Sequence, residues 1–398
     1  MNAVPNTPEP DAYAARHVLD ALEEAGLTRK PADWNQRFAA VTTDEVRAEL
    51  SRQPHFDLKR LAVLLSPAAA GELEPMARAA YRLTRQRFGN AISLFAPLYV
   101  SNYCVNQCRY CGFNSGHPHN RLRLTVGEAL AEARIIASEG FRDILLVSGE
   151  DRGHIDVDYL SRLARELRVD GLFSTVSVEI YTQGEDNYRR MFEAGIDGVT
   201  IFQETYERGT YAFWHPGGPK SVYENRILAS EAAAKAGMRR MGLGVLLGLE
   251  DWRFDAMAMA VHADALARHY WRTRTSFSFP RIRPAESGHS GDFPHLQSDA
   301  EFTQLLLALR LCFPDSGMTL STRESPELRD HLIPLGVTQI SAGSKTNPGG
   351  YGEESGCDIV STEQFAVSDE RSAAEMAEVL RQQGFDPVWK DWDPAFQG

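Results

Sequence analysis

The sequence predicts a closed α/β barrel of eight strand–helix units, with a helical extension before it and a helical tail after it. Eight short apolar runs, starting near residues 92, 144, 173, 198, 239, 275, 317 and 337, are each followed by a loop or helix on one schedule. The runs are apolar throughout rather than alternating. Strands buried on both faces have that pattern, so the sheet is mainly parallel and covered by helices. Closing eight units on themselves is the simplest arrangement. An open doubly wound sheet is the alternative that counting strands leaves.

Residues 1–88 form the mainly helical extension, with helical spacing clearest around Leu61 to Leu65 and Leu73 to Phe88. The barrel occupies 89–357. Its first strand is ISLFAPLYV (92–100), and TVGEALAEARIIASEG (125–140) is a helix with Thr125 as cap and Glu128 three residues on, a capping box. Strands at 144–150, 173–180, 198–204, 239–248, 275–282, 317–323 and 337–343 alternate with helices at 157–168, 185–195, 225–237, 254–270, 301–313 and 325–333. Residues 358–398 form a C-terminal tail packed on the barrel, with a helix at 373–384 and an ordered aromatic end, PVWKDWDP.

A chain of 398 residues with 43% hydrophobic and 24% charged side chains buries a large core. Its net charge of −12 argues against a broad nucleic-acid or anionic-membrane surface. No apolar stretch approaches a membrane span, and the N-terminus carries no secretory pattern, so a cytoplasmic location is expected.

Three of the five cysteines lie within eight residues, in FAPLYVSNYCVNQCRYCGFNSG, directly after the first barrel strand. Cys104, Cys108 and Cys111 give C-x₃-C-x₂-C. Three thiolates can hold three irons of a [4Fe–4S] cube and leave the fourth open, which separates a catalytic cluster from a saturated electron carrier. Structural zinc is the competing reading, with His117, His119 or a distant residue as fourth ligand. Three incidental core cysteines fit less well, because Asn106, Gln107 and Arg109 make the loop polar.

The C-x₃-C-x₂-C motif with Tyr110 before its last cysteine resembles that of radical S-adenosylmethionine (SAM) enzymes. The segments GVTIFQETY, GLGVLLGLEDWR, FSFPRIRPA, LSTRE, ISAGSKTNPGGY and PVWKDWD narrow the likeness to the aromatic amino acid lyase branch. Within it, the chain from about residue 90 to 395 resembles the 2-iminoacetate synthase family of thiamine thiazole synthesis. The resemblance implies a [4Fe–4S] cluster, SAM as cosubstrate and L-tyrosine as substrate. It also implies thiazole synthase as protein partner and a flavodoxin- or ferredoxin-type electron donor. The related hydrogenase-maturation lyase carries a second cysteine-ligated cluster, for which Cys312 and Cys357 alone are too few. The tryptophan lyase of the branch stays open, since ring size is decided by packing.

Candidate roles follow from position and chemistry. Ser148, Gly149 and Glu150 end strand two, where the resemblance implies contact with the SAM amino group. Glu179, a carboxylate in an apolar run, needs a partner such as SAM or an arginine. Gln203 and Glu204, with Tyr206, finish strand four near the ribose or the substrate. Tyr99 stands five positions before Cys104, where the resemblance puts a tyrosine near the substrate amine. Arg323, ending strand seven, suits a bidentate grip on the substrate carboxylate, with Ser341 or Ser344 assisting. Of Arg281 and Arg283, one would engage the SAM carboxylate and the other a structural acid such as Glu286. The glycines of LGVLLG (243–248) bring backbone close to adenine or serve a tightly packed strand.

Overall fold

Each of the eight expected strands forms, and their register closes them into a ring. The computed structural model describes residues 15–117, 120–282, 293–352 and 363–390. His119, Arg283, Glu286, Cys357 and the end of the aromatic tail lie outside the described residues. The barrel strands are β1 (Ala91–Ser101), β2 (Asp143–Ser148), β3 (Thr175–Glu179), β4 (Gly198–Glu204), β5 (Arg240–Val245), β6 (Arg274–Ser278), β7 (Gly317–Leu320) and β8 (Gln339–Ser341). All pair in parallel in chain order, and β1 pairs with both β2 and β8. The barrel is therefore closed, and the open-sheet alternative falls.

β1 is long enough to serve three neighbours. Its C-terminal half pairs with β2 and its middle with β8, while Ala91 to Ser93 pair with a ninth strand, β9 (Asp386–Val388). β9 is not among the expected strands, because three residues including a proline carry no readable period. Helix Arg208–Trp214, inserted after β4, was missed for the same reason of length. Several strands end earlier than expected, β6 at Ser278 and β7 at Leu320, since the ladder stops where the chain turns into the loops of the barrel mouth.

Helix starts follow side-chain chemistry. Thr125 and Glu128 form the expected capping box, and Ser298 with Glu301 and Ser372 with Glu375 form two more. One continuous apolar core joins the early helices to the barrel helices. Within it Cys312 is buried, its thiol pushed up to about 12 by burial, so it stays a neutral apolar side chain. No helix among the described residues is long and apolar enough to cross a membrane.

Two register shifts fall at the C-terminal ends of strands, between Tyr99 and Ser101 on β1 and between Phe202 and Glu204 on β4. Glu204 also has φ +70°, the single positive φ outside glycine among the described residues. Such bulges and strained conformations re-aim side chains next to working sites, and both lie on the barrel face where those sites gather.

Candidate active site

The cysteine loop leaves β1 and is held from two sides. Asn106 bridges them: its amide donates to Glu150 Oε2 at 2.6 Å and approaches Cys104 Sγ at 3.6 Å, while its Oδ1 accepts from the Lys220 backbone at 2.8 Å. Gln107 and Arg109 donate their N–H groups to the carbonyls of Gly217 and Trp214. Gly149 packs so tightly beneath the loop that a Cβ there would lie 2.3 Å from the Tyr103 carbonyl oxygen. That close approach explains the glycine in SGE.

Burial raises the thiols of Cys104 and Cys108 and takes Cys111 to about 11, and each feels its neighbours' charge. Lys220 opposes the rise at Cys108 and Cys111. Among the described residues no three His, Cys, Asp or Glu side chains converge as a mononuclear ion requires, and His117 does not join the cysteines. Three cysteines on one short loop suit a multi-iron cluster, in which each iron takes its own thiolate.

Inside the barrel mouth, Tyr99, Glu179, Arg323, Ser341 and Ser344 line one cavity. They come from the ends of β1, β3, β7 and β8, far apart in sequence. Tyr99 donates its hydroxyl to Gln364 Oε1 at 2.8 Å. The Arg323 guanidinium lies 3.4 Å from the centre of the Phe365 ring. Ser344 Oγ is buried without a protein partner. Burial and the nearby Glu204 push Glu179 up to about 7, against the pull of Arg323, Lys220 and Arg226. A guanidinium, a carboxyl group and an unpartnered hydroxyl around one space match the groups of an amino acid.

The other nominated residues separate. Tyr110 bonds His215 Nε2 at 2.9 Å, and Lys220 Nζ lies over its ring at 5.7 Å. Glu204 accepts from Lys220 at 2.6 Å. Glu150, besides Asn106, pairs with Arg152, and Ser148 Oγ donates to the Gly149 carbonyl. Gln203 does not line the cavity, and both its amide atoms are buried without a partner. Tyr206 bonds His262 at 2.8 Å within the core. Arg281 is taken up by Glu324 at 3.0 Å and Asp299 at 2.7 Å, a structural pairing. In the 243–248 stretch, Gly244 makes room for the Phe202 ring.

Sequence reasoning missed Lys220, Arg226, Gln364 and Phe365. Arg226 is buried and donates to the Phe202 carbonyl at 2.7 Å, bracing the strained end of β4. It stands on an expected helix, but nothing in helical spacing marks a cation that turns inward.

Two family profiles match the chain. Residues 98–260 match the Radical SAM superfamily, and residues 278–386 match the Biotin and Thiamin Synthesis associated domain. The 2-iminoacetate synthase of Salmonella typhimurium is 39% identical over 372 residues, covering 90% of this chain and 97% of that protein. That of Escherichia coli is 38% identical with the same coverage. Among solved structures, the FeFe-hydrogenase maturase HydG from Carboxydothermus hydrogenoformans superposes with a TM-score of 0.82 at 29% identity, over 97% of this chain and 86% of that one.

Proposed function

This chain belongs to the 2-iminoacetate synthase family of the Radical SAM superfamily, and from that membership and its cavity we infer that it cleaves the Cα–Cβ bond of L-tyrosine to 2-iminoacetate and 4-cresol. The observation that carries the reading is the meeting of Tyr99, Glu179, Arg323 and two serines in one cavity of a barrel whose mouth holds the three-cysteine loop.

When bound, the reduced [4Fe–4S] cluster would pass one electron to SAM, giving methionine and a 5′-deoxyadenosyl radical able to take a hydrogen atom from the substrate amino group. Cys104, Cys108 and Cys111 hold the cluster, with Tyr110 beside them. Ser148, Gly149 and Glu150 would hold SAM from the end of β2, with Gln203 and Glu204 assisting from the end of β4. Arg323 grips the substrate carboxylate, with Ser344 adding a hydroxyl and Ser341 lining the same wall. Tyr99 orients the amine. The 4-hydroxybenzyl fragment released on bond scission takes up one electron and one proton to become 4-cresol. The enclosing strands keep water and stray hydrogen donors from these species.

Outside the barrel, the reading calls for a flavodoxin- or ferredoxin-type donor and for thiazole synthase to receive the unstable imine, in the cytoplasm.

The test is anaerobic turnover of the iron-reconstituted protein with SAM and a reductant, comparing tyrosine with tryptophan by mass spectrometry. 4-Cresol from tyrosine is the expected product. An indolic product with tyrosine inert would move the chain to the tryptophan branch, and absence of 5′-deoxyadenosine would remove the radical reading.

A further inference from the structure

We propose that Gln364 is a positioning residue for this reaction, fixing the Tyr99 hydroxyl so that its oxygen faces the substrate amine as a hydrogen-bond acceptor. The proposal rests on the reading of the cavity as the amino acid site.

Residues 363–369 cross the barrel mouth as a strap, and two backbone bonds and one from a side-chain hydroxyl anchor Gln364 and its neighbour. The Gln364 N–H donates to the Thr346 carbonyl at 3.1 Å, and its own carbonyl accepts from Gly112 N–H, next to Cys111, at 3.3 Å. Thr346 Oγ1 donates to the Phe365 carbonyl at 3.1 Å. Further along, the N–H groups of Ser368 and Asp369 both donate to the Thr322 carbonyl, beside Arg323. The strap therefore touches the cluster loop, the end of β7 and the loop after β8. With its backbone held at both sides, Gln364 aims its amide at Tyr99, and Phe365 lays its ring on Arg323.

The consequence is chemical. A phenol has one hydrogen to give and lone pairs to receive. With that hydrogen taken by Gln364 Oε1 at 2.8 Å, Tyr99 offers the cavity only an acceptor. An acceptor at that point draws in one N–H of the neutral amine and leaves the other turned elsewhere, which sets which hydrogen is exposed. Without Gln364 the hydroxyl rotates freely and can donate to the nitrogen lone pair instead. The same strap seats Arg323, so carboxylate and amine are placed by adjacent residues, Phe365 and Gln364.

The experiment compares Gln364→Leu, which removes the acceptor, with Gln364→Glu, which keeps it. Both are read in the reconstituted protein with SAM. Gln364→Leu should raise KM for tyrosine about 10-fold, the size of one directed hydrogen bond. It should also make 5′-deoxyadenosine in excess over 4-cresol, as SAM cleavage runs uncoupled from a badly placed amine. Equilibrium dialysis of labelled tyrosine should show the same weakening without turnover. Gln364→Glu should return KM and product ratio to within about twofold of the parent. Equal iron content in all three proteins shows that the cluster loop is intact. The proposal is overturned if Gln364→Leu matches the parent in dialysis and product ratio, or if Gln364→Glu is as impaired as Gln364→Leu. Failure of the underlying reading looks different: the parent itself then yields no 4-cresol, and the proposal goes with it.

Discussion

Glu179 ends β3 with its carboxyl in the cavity, and burial followed by repulsion from Glu204 moves its pKa from 4.5 up to about 7. Between those two values the folded chain keeps a proton that the unfolded chain has released. Stability is therefore lost as pH rises through that window, and the loss is complete above 7. Glu179→Gln should match the parent near pH 4 and be more stable at pH 8 by roughly 1–3 kcal/mol, allowing for solvent inside the cavity. Denaturant melts of cluster-free protein at the two pH values check this, and equal stability at pH 8 would show that the carboxyl is not strained. If Glu179 serves SAM, the same variant should bind SAM more weakly, the sign of a residue kept for function. At this scale the meeting of Tyr99, Glu179 and Arg323 in one cavity was legible from the strand ends that carry Glu179 and Arg323 and, for Tyr99, from the family resemblance. Gln364 and Phe365 were not. They lie in a loop without period, and Gln364 is 265 positions from the tyrosine it holds.

The working elements are strand ends and the loops that leave them, and the turn after β2 packs closely under the cysteine loop. A Cβ on Gly149 would meet the Tyr103 carbonyl at 2.3 Å, a backbone atom that cannot step aside without moving Cys104, the next residue. Gly149→Ala should cost about 1–3 kcal/mol of stability. It should also lower the iron held after reconstitution, measured per chain beside a thermal melt. Full iron content at parental stability would mean that the loop has slack the packing does not show. Strand order and the Thr125 cap were legible, because burial on both faces and a capping box leave local marks. The bulges at Tyr99 to Ser101 and Phe202 to Glu204 left none: they arise from how neighbouring ladders end, and a positive φ at a glutamate has no signature in composition. The loss of Arg281 to Glu324 and Asp299 has the same origin, since an arginine after a strand reads alike whether it meets a ligand or a neighbour.

Over the whole molecule, the tail closes what the barrel opens. After β8 the chain returns over the mouth as the strap, packs helix Ala373–Gln382 outside the barrel and ends as β9 on the first three residues of β1. One fully buried ion pair joins this return path to the barrel: Asp369, at the end of the strap, meets Arg329 on helix Pro326–Gly336. Arg329 also donates to the Ser341 carbonyl on β8, and Arg371 bonds the same aspartate at 2.7 Å and 2.9 Å. Burial alone would raise the Asp369 carboxyl, yet the Arg371 hydrogen bonds and the Arg329 charge hold it below its ordinary value. Its contribution is thus present above the usual carboxylate range and is lost as pH falls through the lowered value. Asp369→Asn leaves Arg329 buried beside a neutral group and should cost about 3–5 kcal/mol at pH 7. The gap to the parent should close in acid. Since the strap that carries Gln364 and Phe365 ends on this pair, 4-cresol formation should fall at temperatures where the variant is still folded. A variant that melts early but turns over normally below its melting point would separate the pair's structural role from the site.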